Sequence, residues 1–203
     1  MSKAAATRLS ILHKAFELVY VNGYQATSVD VIIAQTQVTK GAFYYHFKNK
    51  DEMGIAMIKE VLYPGMQDAL IAPLLHSKDS TSTIFNMMNT LLQENDFFII
   101  KYGCPAVNLI EEMGGLHPGF RKALSFLFKE WQKAIEQSIE QGKKSGNIRK
   151  DVNAQQVALF IATGYGGIRN LGKLFGAACY SSYLKELKNY LNGLKPTKKA
   201  ANS

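Results

Sequence analysis

The residues best suited to contacting another molecule lie together in one short stretch, TKGAFYYHFKNK, at positions 39–50. Hydroxyl, imidazole and ammonium groups can all donate hydrogen bonds to phosphate oxygens, and Gly41 leaves room for a close approach. The rings of Phe43 and Phe47, one helical turn apart, are suited to a core instead. The mixture predicts a short helix with one packed face and one contacting face.

A second candidate for chemistry is Cys104, in the sequence Gly103-Cys104-Pro105. A turn of this kind that leads into a helix places the sulfur near the helix N-terminus, where the thiolate and hence reactivity are favoured. The other interpretation is a small apolar thiol in a packed wall, which is the more common fate of a free cysteine. Cys179, near the start of the last predicted helix, fits packing better still.

Composition favours a folded globular chain that works outside the membrane. The 203 residues are 47% hydrophobic, and no uncharged apolar stretch is long enough to span a bilayer. The N-terminus lacks the apolar run of a signal peptide, so a cytoplasmic location is expected. The formal charge of +8 favours an acidic partner such as nucleic acid, although a basic solvated surface gives the same total.

The first quarter of the chain reads as three short helices followed by a long one. Apolar residues three and four positions apart predict an amphipathic helix over 7–21. Thr27 and Asp30 have the form of a capping box for a second helix. Thr39 can cap the third helix, and Asn49 can cap the fourth.

The remainder of the chain also has helical periodicity and no convincing strand. Proline is expected to kink or break the helices at four positions, Pro64, Pro73, Pro105 and Pro118. The clearest apolar stripe predicts a helix over 120–142, and two further helices follow over 153–175 and 180–194. These patterns predict an all-α fold of about nine helices.

The two short helices around residue 37 predict a helix-turn-helix. The second helix of such a motif lies in the major groove of DNA, with its first residues nearest the base edges. Ala42, Phe43 and Phe47 would then face the other helices. The residues predicted to face DNA are Thr27, Ser28, Thr39, Lys40, Gly41, Tyr44, Tyr45, His46 and Lys50. The alternative is a helical hairpin that merely packs an aromatic core.

Residues 8–55 resemble the DNA-binding region of the tetracycline-repressor (TetR) family of bacterial regulators. The matching positions are Ala26-Thr27-Ser28-Val29, Ile32, Val38-Thr39-Lys40-Gly41-Ala42-Phe43-Tyr44-Tyr45-His46-Phe47 and Lys50-Asp51-Glu52. The resemblance implies an all-helical homodimer with a C-terminal ligand-binding domain, and repression of transcription that a small molecule relieves. The family pattern usually has Ala-Gly where this chain has Thr36-Gln37, so a positive φ there would cost on the order of 1 kcal/mol.

Together, pattern and resemblance predict three parts. Residues 1–50 form a helix-turn-helix DNA-binding domain, residues 51–195 a helical ligand-binding and dimerisation domain, and residues 196–203 a flexible tail. The last two long helices are expected to pair with their copies as a four-helix bundle. The operator should then be a near-palindromic double-stranded DNA site.

A pocket for the small-molecule effector would have mostly apolar walls with a few polar groups. The candidates are Phe98, Tyr102, Cys104, Asn108, Met113, Phe126, Trp131, Phe160 and Tyr165, each of which can equally be plain core. Glu111 and Glu112 are expected to be solvated, or one of them to face a cationic effector. One branch of the resembled family has a similar Gly-Cys element and some of its members respond to electrophiles or oxidants, so a thiol-sensing repressor acting through Cys104 is the alternative function.

Two other classes of protein find little support. An enzyme would need a phosphate loop, a nucleophile elbow or clustered metal ligands, and the sequence has none of these patterns, so no catalytic residue, metal or cofactor is predicted. A membrane-surface module would need a helix with a lysine-rich face opposite a bulky apolar one, which is also missing.

Overall fold

A computed structural model of the chain describes residues 2–75, 79–94 and 98–196, so the predicted tail lies outside the described residues except for residue 196. The α-helices are α1 (Lys3–Asn22), α2 (Val29–Thr36), α3 (Lys40–His46), α4 (Lys50–Met57), α5 (Tyr63–Met66), α6 (Ser80–Asn89), α7 (Pro105–Leu109), α8 (Pro118–Lys144), α9 (Ala154–Phe175) and α10 (Ala178–Gly193). A π-helical segment, Ile58–Leu62, joins α4 and α5 into one run. The described ranges therefore contain nine separate helices and no strand, and the predicted all-α class is confirmed.

Shorter helical segments continue several of these helices. They are the π-helical Gln67–Ile71, Thr90–Glu94 and Ile110–Gly114 and the 3₁₀-helical Ala72–Leu74. Ile100–Tyr102 is a separate 3₁₀ turn between α6 and α7. Within the described ranges, no helix combines the length and the apolar character that a membrane crossing requires.

Side-chain caps begin the helices around the predicted DNA-binding motif. The Thr39 hydroxyl accepts a hydrogen bond from the Ala42 amide at 3.1 Å, and Asn49 Oδ1 accepts one from the next helix at 2.8 Å. The predicted cap at Thr27 is wrong by one residue, because Ser28 Oγ accepts the amide hydrogen bond that begins α2. Thr27 is buried and donates its hydroxyl proton to the Gly23 carbonyl at 2.7 Å.

The turn between α2 and α3 has a left-handed backbone conformation that is costly for the glutamine found there. Gln37 has φ 55° and ψ 18°, the left-handed region, and is the only non-glycine residue with positive φ in the described ranges. A side chain there crowds the following carbonyl, whereas glycine adopts this conformation freely. The turn is therefore made, with strain concentrated at one residue.

Replacing Gln37 by glycine is expected to raise the free energy of unfolding by roughly 0.5 to 1 kcal/mol. Relief of a left-handed conformation contributes about 1–2 kcal/mol, and the greater freedom of glycine in the unfolded chain offsets about 0.5–1 kcal/mol of it. Urea denaturation followed by circular dichroism measures the change. Gln37→Val, with a β-branched side chain, should be less stable than the wild type, and a Gln37→Gly protein that unfolds at lower urea would contradict the strain assigned here.

The prolines act in two different ways. Pro105 and Pro118 are the first residues of α7 and α8, where a missing amide costs nothing, so both mark the predicted helix boundaries. Pro64 lies inside the continuous run from α4 to α5. The wider turn of the π segment Ile58–Leu62 directly precedes it, as expected where a ring must avoid the carbonyl four residues earlier. The predicted interruption at Pro64 is thus a change of helix type rather than a break.

The chain forms two compact units that do not follow its linear order. The first unit contains Met1–Met66 together with Cys104–Leu127, and the second contains Gln67–Gly103 together with Phe128–Ser203. The helices of the predicted DNA-binding motif therefore belong to a unit that a later segment of the chain completes. The functional division at residue 50 stays a prediction.

In the second unit, α9 and α10 pack closely because glycines of α9 face tyrosines of α10. A Cβ atom at Gly164 would lie 2.4 Å from the Tyr183 hydroxyl oxygen, and one at Gly172 would lie 2.4 Å from that of Tyr180. Burial raises the pKa of Tyr183 to about 12. The tyrosine rings thus occupy the space that a side chain at Gly164 or Gly172 would need.

Candidate nucleic-acid interface and ligand domain

One face of α3 is firmly packed. Phe43 and Phe47 are fully buried, with ring centroids 5.6 Å apart. The Arg8 guanidinium lies 4.4 Å from the centre of the Phe47 ring and donates to the His46 carbonyl at 3.0 Å, so α1 holds the end of α3. These contacts fix the orientation of the helix.

The other face of α3 is exposed and carries the predicted DNA contacts. Thr39, Lys40 and Gly41 at its start are exposed. Tyr44 and Tyr45, one turn further on, are 47% and 78% exposed. Positions four apart share a helix face, so the structure brings these groups together on one surface. His46 is half-buried.

Lys40 is held by an acidic partner on α2. Its ammonium donates to Asp30 Oδ1 at 3.1 Å, and this hydrogen bond raises the pKa of Lys40. Both side chains are well exposed, so the pair contributes little to stability. An ammonium has three donors, which leaves Lys40 able to reach a phosphate or a base as well.

The remaining predicted DNA contacts differ in accessibility. Ser28 is exposed at the start of α2, whereas Thr27 is 1% exposed, so its side chain cannot touch DNA. Lys50 is half-buried: its ammonium donates to the Gln25 carbonyl at 3.3 Å and lies 4.4 Å from the centre of the Tyr24 ring. Burial lowers the pKa of Lys50. The phosphate contact of Lys50 stays a prediction. It would use the ammonium hydrogens that do not bond the Gln25 carbonyl.

A residue that sequence reasoning placed in solvent holds the turn between α1 and α2. The Glu112 carboxylate accepts hydrogen bonds from the backbone amides of Tyr24 at 3.1 Å and Gln25 at 3.0 Å. A Cβ at Gly23, where φ is 90°, would lie 3.3 Å from both carboxylate oxygens. The expectation that Glu112 is solvated or faces a cationic effector is therefore wrong, because its oxygens are taken by backbone donors.

The same turn is held from α4 and α8. The Tyr24 hydroxyl donates to Asp51 Oδ1 at 2.7 Å. The pKa of Tyr24 is raised mainly by burial and further by this hydrogen bond. His117 Nε2 lies 3.9 Å from the other Asp51 oxygen, and the Phe120 ring meets that of Tyr24 edge-on at 4.8 Å. A Cβ at Gly54 would come within 2.7 Å of both rings. The segment 104–127 thus completes the support of the helix-turn-helix.

Four of the predicted ligand residues belong to the first unit. Cys104 and Met113 are buried, Asn108 is half-buried, and Phe126 is 54% exposed with its ring against Tyr63 at 5.3 Å. A cavity beside Asn108 has a volume of about 10 Å³, which is room for about one water molecule. Phe126 therefore lies largely at the surface of the single chain.

The other predicted ligand residues belong to the second unit. Trp131 and Tyr165 are buried and meet edge-on with ring centroids 5.4 Å apart. Phe98 is buried and Tyr102 half-buried. Phe160 is 51% exposed, and its ring packs at a tilt against that of Tyr190 with centroids 4.5 Å apart, so it lies on the outside of the single chain. The structure brings Trp131 and Tyr165 together and leaves Phe160 apart.

The two thiols differ in their access to reagents. Cys104 is 1% exposed, and Cys179 is half-buried with its thiol donating to the Gly176 carbonyl at 3.1 Å. Reactive cysteines are partly exposed as a rule. Thiol sensing by Cys104 stays a prediction that burial does not favour.

Comparison with known protein families agrees with the geometry of α2 and α3. Residues 11–57 match the family described as bacterial regulatory proteins, tetR family, and residues 82–185, more than half of the chain, match the tetracyclin repressor-like C-terminal domain. The chain belongs to the TetR family. As a TetR-family protein it is a DNA-binding transcriptional regulator.

Individual relatives agree with the family assignment. An uncharacterised HTH-type transcriptional regulator in the lacX 3' region of Lactococcus lactis is 32% identical over 133 residues, covering 66% of this TetR-family chain and 68% of the relative. The HTH-type transcriptional repressor DhaR of a Mycobacterium species is 24% identical, covering 79% of each chain. A TetR-family regulator from Cytophaga hutchinsonii has the same fold, with a TM-score of 0.88, 21% identity and coverage of 98% of this chain and 99% of that one.

Proposed function

We propose that this regulator is a homodimeric repressor that binds a near-palindromic operator and leaves it when a small molecule binds the C-terminal domain. The observation that carries the proposal is the exposed face of α3, where two tyrosines, a lysine and a glycine stand in solvent beside a fully packed opposite face. Large aromatic side chains that are exposed together mark an interaction surface.

The chemistry of that face suits DNA. The Lys40 ammonium and the hydroxyls of Tyr44 and Tyr45 donate hydrogen bonds to phosphate oxygens or base edges, and Gly41 lets the backbone approach closely. The first turn of a recognition helix is the part that enters the major groove. The packed face, with Phe43 and Phe47 buried, keeps the helix in that orientation.

An apolar stripe on α9 supports the homodimer. Leu171, Leu174 and Phe175 are 45%, 74% and 65% exposed, and Phe160, some three turns earlier, is 51% exposed. A monomer gains nothing from holding such a stripe in water, whereas a two-fold axis buries it against its own copy. Two recognition helices about 34–36 Å apart then require two half-sites of inverted sequence.

The Glu112 contact offers a route from ligand to DNA. The predicted ligand residues Asn108 and Met113 lie on the same helical segment as Glu112, whose carboxylate holds the amides of Tyr24 and Gln25. A ligand that shifts this segment would loosen the turn that positions α2. Release of DNA then follows if the ligand prefers the shifted arrangement. The repressor named among the relatives makes repression the favoured direction.

Footprinting on the DNA that flanks its own gene tests the proposal. The full-length protein should protect an inverted repeat with half-site centres about 10 base pairs, or a multiple of that, apart. Affinity should also fall steeply with salt, since phosphate contacts release counterions. Protection of a single half-site would contradict the dimer, and an absence of protection even at low salt would contradict operator binding near the gene.

A further inference from the structure

The carboxyl end of α3 is held by a residue that is distant in sequence. A helix leaves its last carbonyls without partners inside the helix. Phe47, which follows α3, has an extended backbone with φ −141° and ψ 123°, so the helix stops there. Arg8 Nη1, 38 positions earlier in the chain, donates to the His46 carbonyl at 3.0 Å. The positive charge of Arg8 thus lies at the helix end that is partly negative.

The Arg8 guanidinium is itself held by a carboxylate. Its Nε donates to Glu60 Oε2 at 3.1 Å, and its Nη2 donates to Glu60 Oε1 at 2.6 Å. Such a bidentate contact defines the orientation of the planar guanidinium. With Nη1 on the His46 carbonyl, all three nitrogens are engaged, and the Phe47 ring covers one face of the group.

Glu60 holds Arg8 from a third element of the first unit. It belongs to the π-helical segment Ile58–Leu62, so its direction depends on the wider turn of that segment. The side chains of Arg8 and Glu60 are 31% and 41% exposed. A partly exposed ion pair contributes little to folding stability, whereas bidentate geometry sets an orientation. The contact is therefore better suited to positioning than to stabilisation.

We propose that Glu60 is a positioning residue for operator binding, an inference that rests on the proposed function. Glu60 orients the Arg8 guanidinium, and Arg8 holds the end of α3. Tyr44 and Tyr45 lie in the last turn of α3, so a shift of this end moves both away from their contacts on DNA. The effect has a distinctive sign. Loss of a negative charge by itself strengthens binding to any DNA, whereas loss of positioning weakens binding to the operator.

The DNA affinity of Glu60→Gln tests this sign. Glutamine keeps the size of the side chain but removes the charge and one acceptor oxygen. Kd for the footprinted operator should rise at least about 5-fold, while Kd for random-sequence DNA should stay equal or fall. Glu17→Gln is the matched control, because Glu17 pairs with Lys14 inside α1. A Glu60→Gln protein that binds the operator as tightly as Glu17→Gln would overturn the inference.

A double-mutant cycle shows whether Glu60 acts through Arg8. Arg8→Gln should raise operator Kd at least about 10-fold, and adding Glu60→Gln should change it by less than about 2-fold more. Fold-changes that multiply would mean independent residues and would overturn the inference. The salt dependence of operator binding should be unchanged in Arg8→Gln. A slope lower by about one for each half-site would instead make Arg8 a phosphate contact and would also overturn it.

Hydrogen exchange of the DNA-free protein tests the contact without an operator. The Phe47 amide donates to the Phe43 carbonyl at 3.0 Å and reports on the last turn of α3. Its exchange should be at least about 5-fold faster in Arg8→Gln and Glu60→Gln than in the wild type, and unchanged in Glu17→Gln. Equal exchange in all four proteins, or a rise of the same size throughout α1 and α2, would overturn the inference.

The two kinds of measurement separate this inference from the proposed function. If the wild type protects no DNA site and exchange at the end of α3 rises in the variants, the hold on α3 stands and operator binding fails. If the footprint is present and Glu60→Gln binds the operator as the wild type does, the repressor stands and the positioning role fails.

Discussion

A Gly41→Leu protein is expected to lose operator affinity by at least about 100-fold while folding normally, since two contacts worth about 1–3 kcal/mol each are lost in every half-site. Within the chain a Cβ at Gly41 meets only Thr39 Oγ1, at 3.9 Å, so a larger side chain projects outwards without a clash. On DNA the same side chain occupies the space between α3 and the groove. The contacts of Lys40 and Tyr44 are then held away from their partners.

Gly65→Leu is the matched control. Gly65 is also an exposed glycine inside a helical run, and no atom lies within 4 Å of its Cβ position. Both variants replace glycine by a better helix former, so neither should lower the stability of the fold. Gel shift with the footprinted operator, alongside thermal unfolding, separates the two effects. If Gly41→Leu binds DNA like Gly65→Leu, the assigned face of α3 does not contact DNA.

Leu174→Glu is expected to give a monomer with operator affinity lower by about 100-fold or more, because a chain with one recognition helix loses the gain of linked binding. Leu174 is 74% exposed on α9, where the proposed interface would bury it. A buried, unpaired carboxylate at a two-fold interface meets its own copy, which adds repulsion to desolvation.

Leu116→Glu is the control, because it makes the same substitution at another exposed leucine. Leu116 is 72% exposed and precedes α8, outside the α9 stripe. Light scattering after size-exclusion chromatography should give a dimer for Leu116→Glu and for the wild type, and half that mass for Leu174→Glu. A Leu174→Glu protein that remains dimeric would place the interface elsewhere.

Local features of the binding motif were predictable from the sequence because their causes lie within a few residues. The Thr39 cap and the burial of Phe43 and Phe47 follow from spacing and side-chain type. The positive φ at Gln37 was considered only because the resembled family usually has glycine at that position. The Ser28 cap was missed because Thr27 has the same chemistry one position earlier, and only packing decides which hydroxyl faces the amides.

Long-range features were not predictable. Glu112 reaches amides 88 and 87 positions away, and nothing near it in sequence distinguishes it from Glu111. Arg169 interrupts an apolar helix in the way that a solvated charge does, and only the fold buries it. The exposure of Phe126 and Phe160 likewise depends on which helices pack against theirs, which their own periodicity leaves open.

The non-contiguous first unit has a consequence for anyone building chimaeric regulators. If residues 1–66 alone are fused to the C-terminal domain of another regulator, two contacts are lost. They are the hydrogen bonds from the Tyr24 and Gln25 amides to the Glu112 carboxylate, and the packing of the Phe120 ring on Tyr24. Transferring residues 104–127 together with residues 1–66 keeps both contacts. Hybrid proteins that contain both segments should therefore be more stable with an unrelated C-terminal domain than hybrids joined at a single crossover.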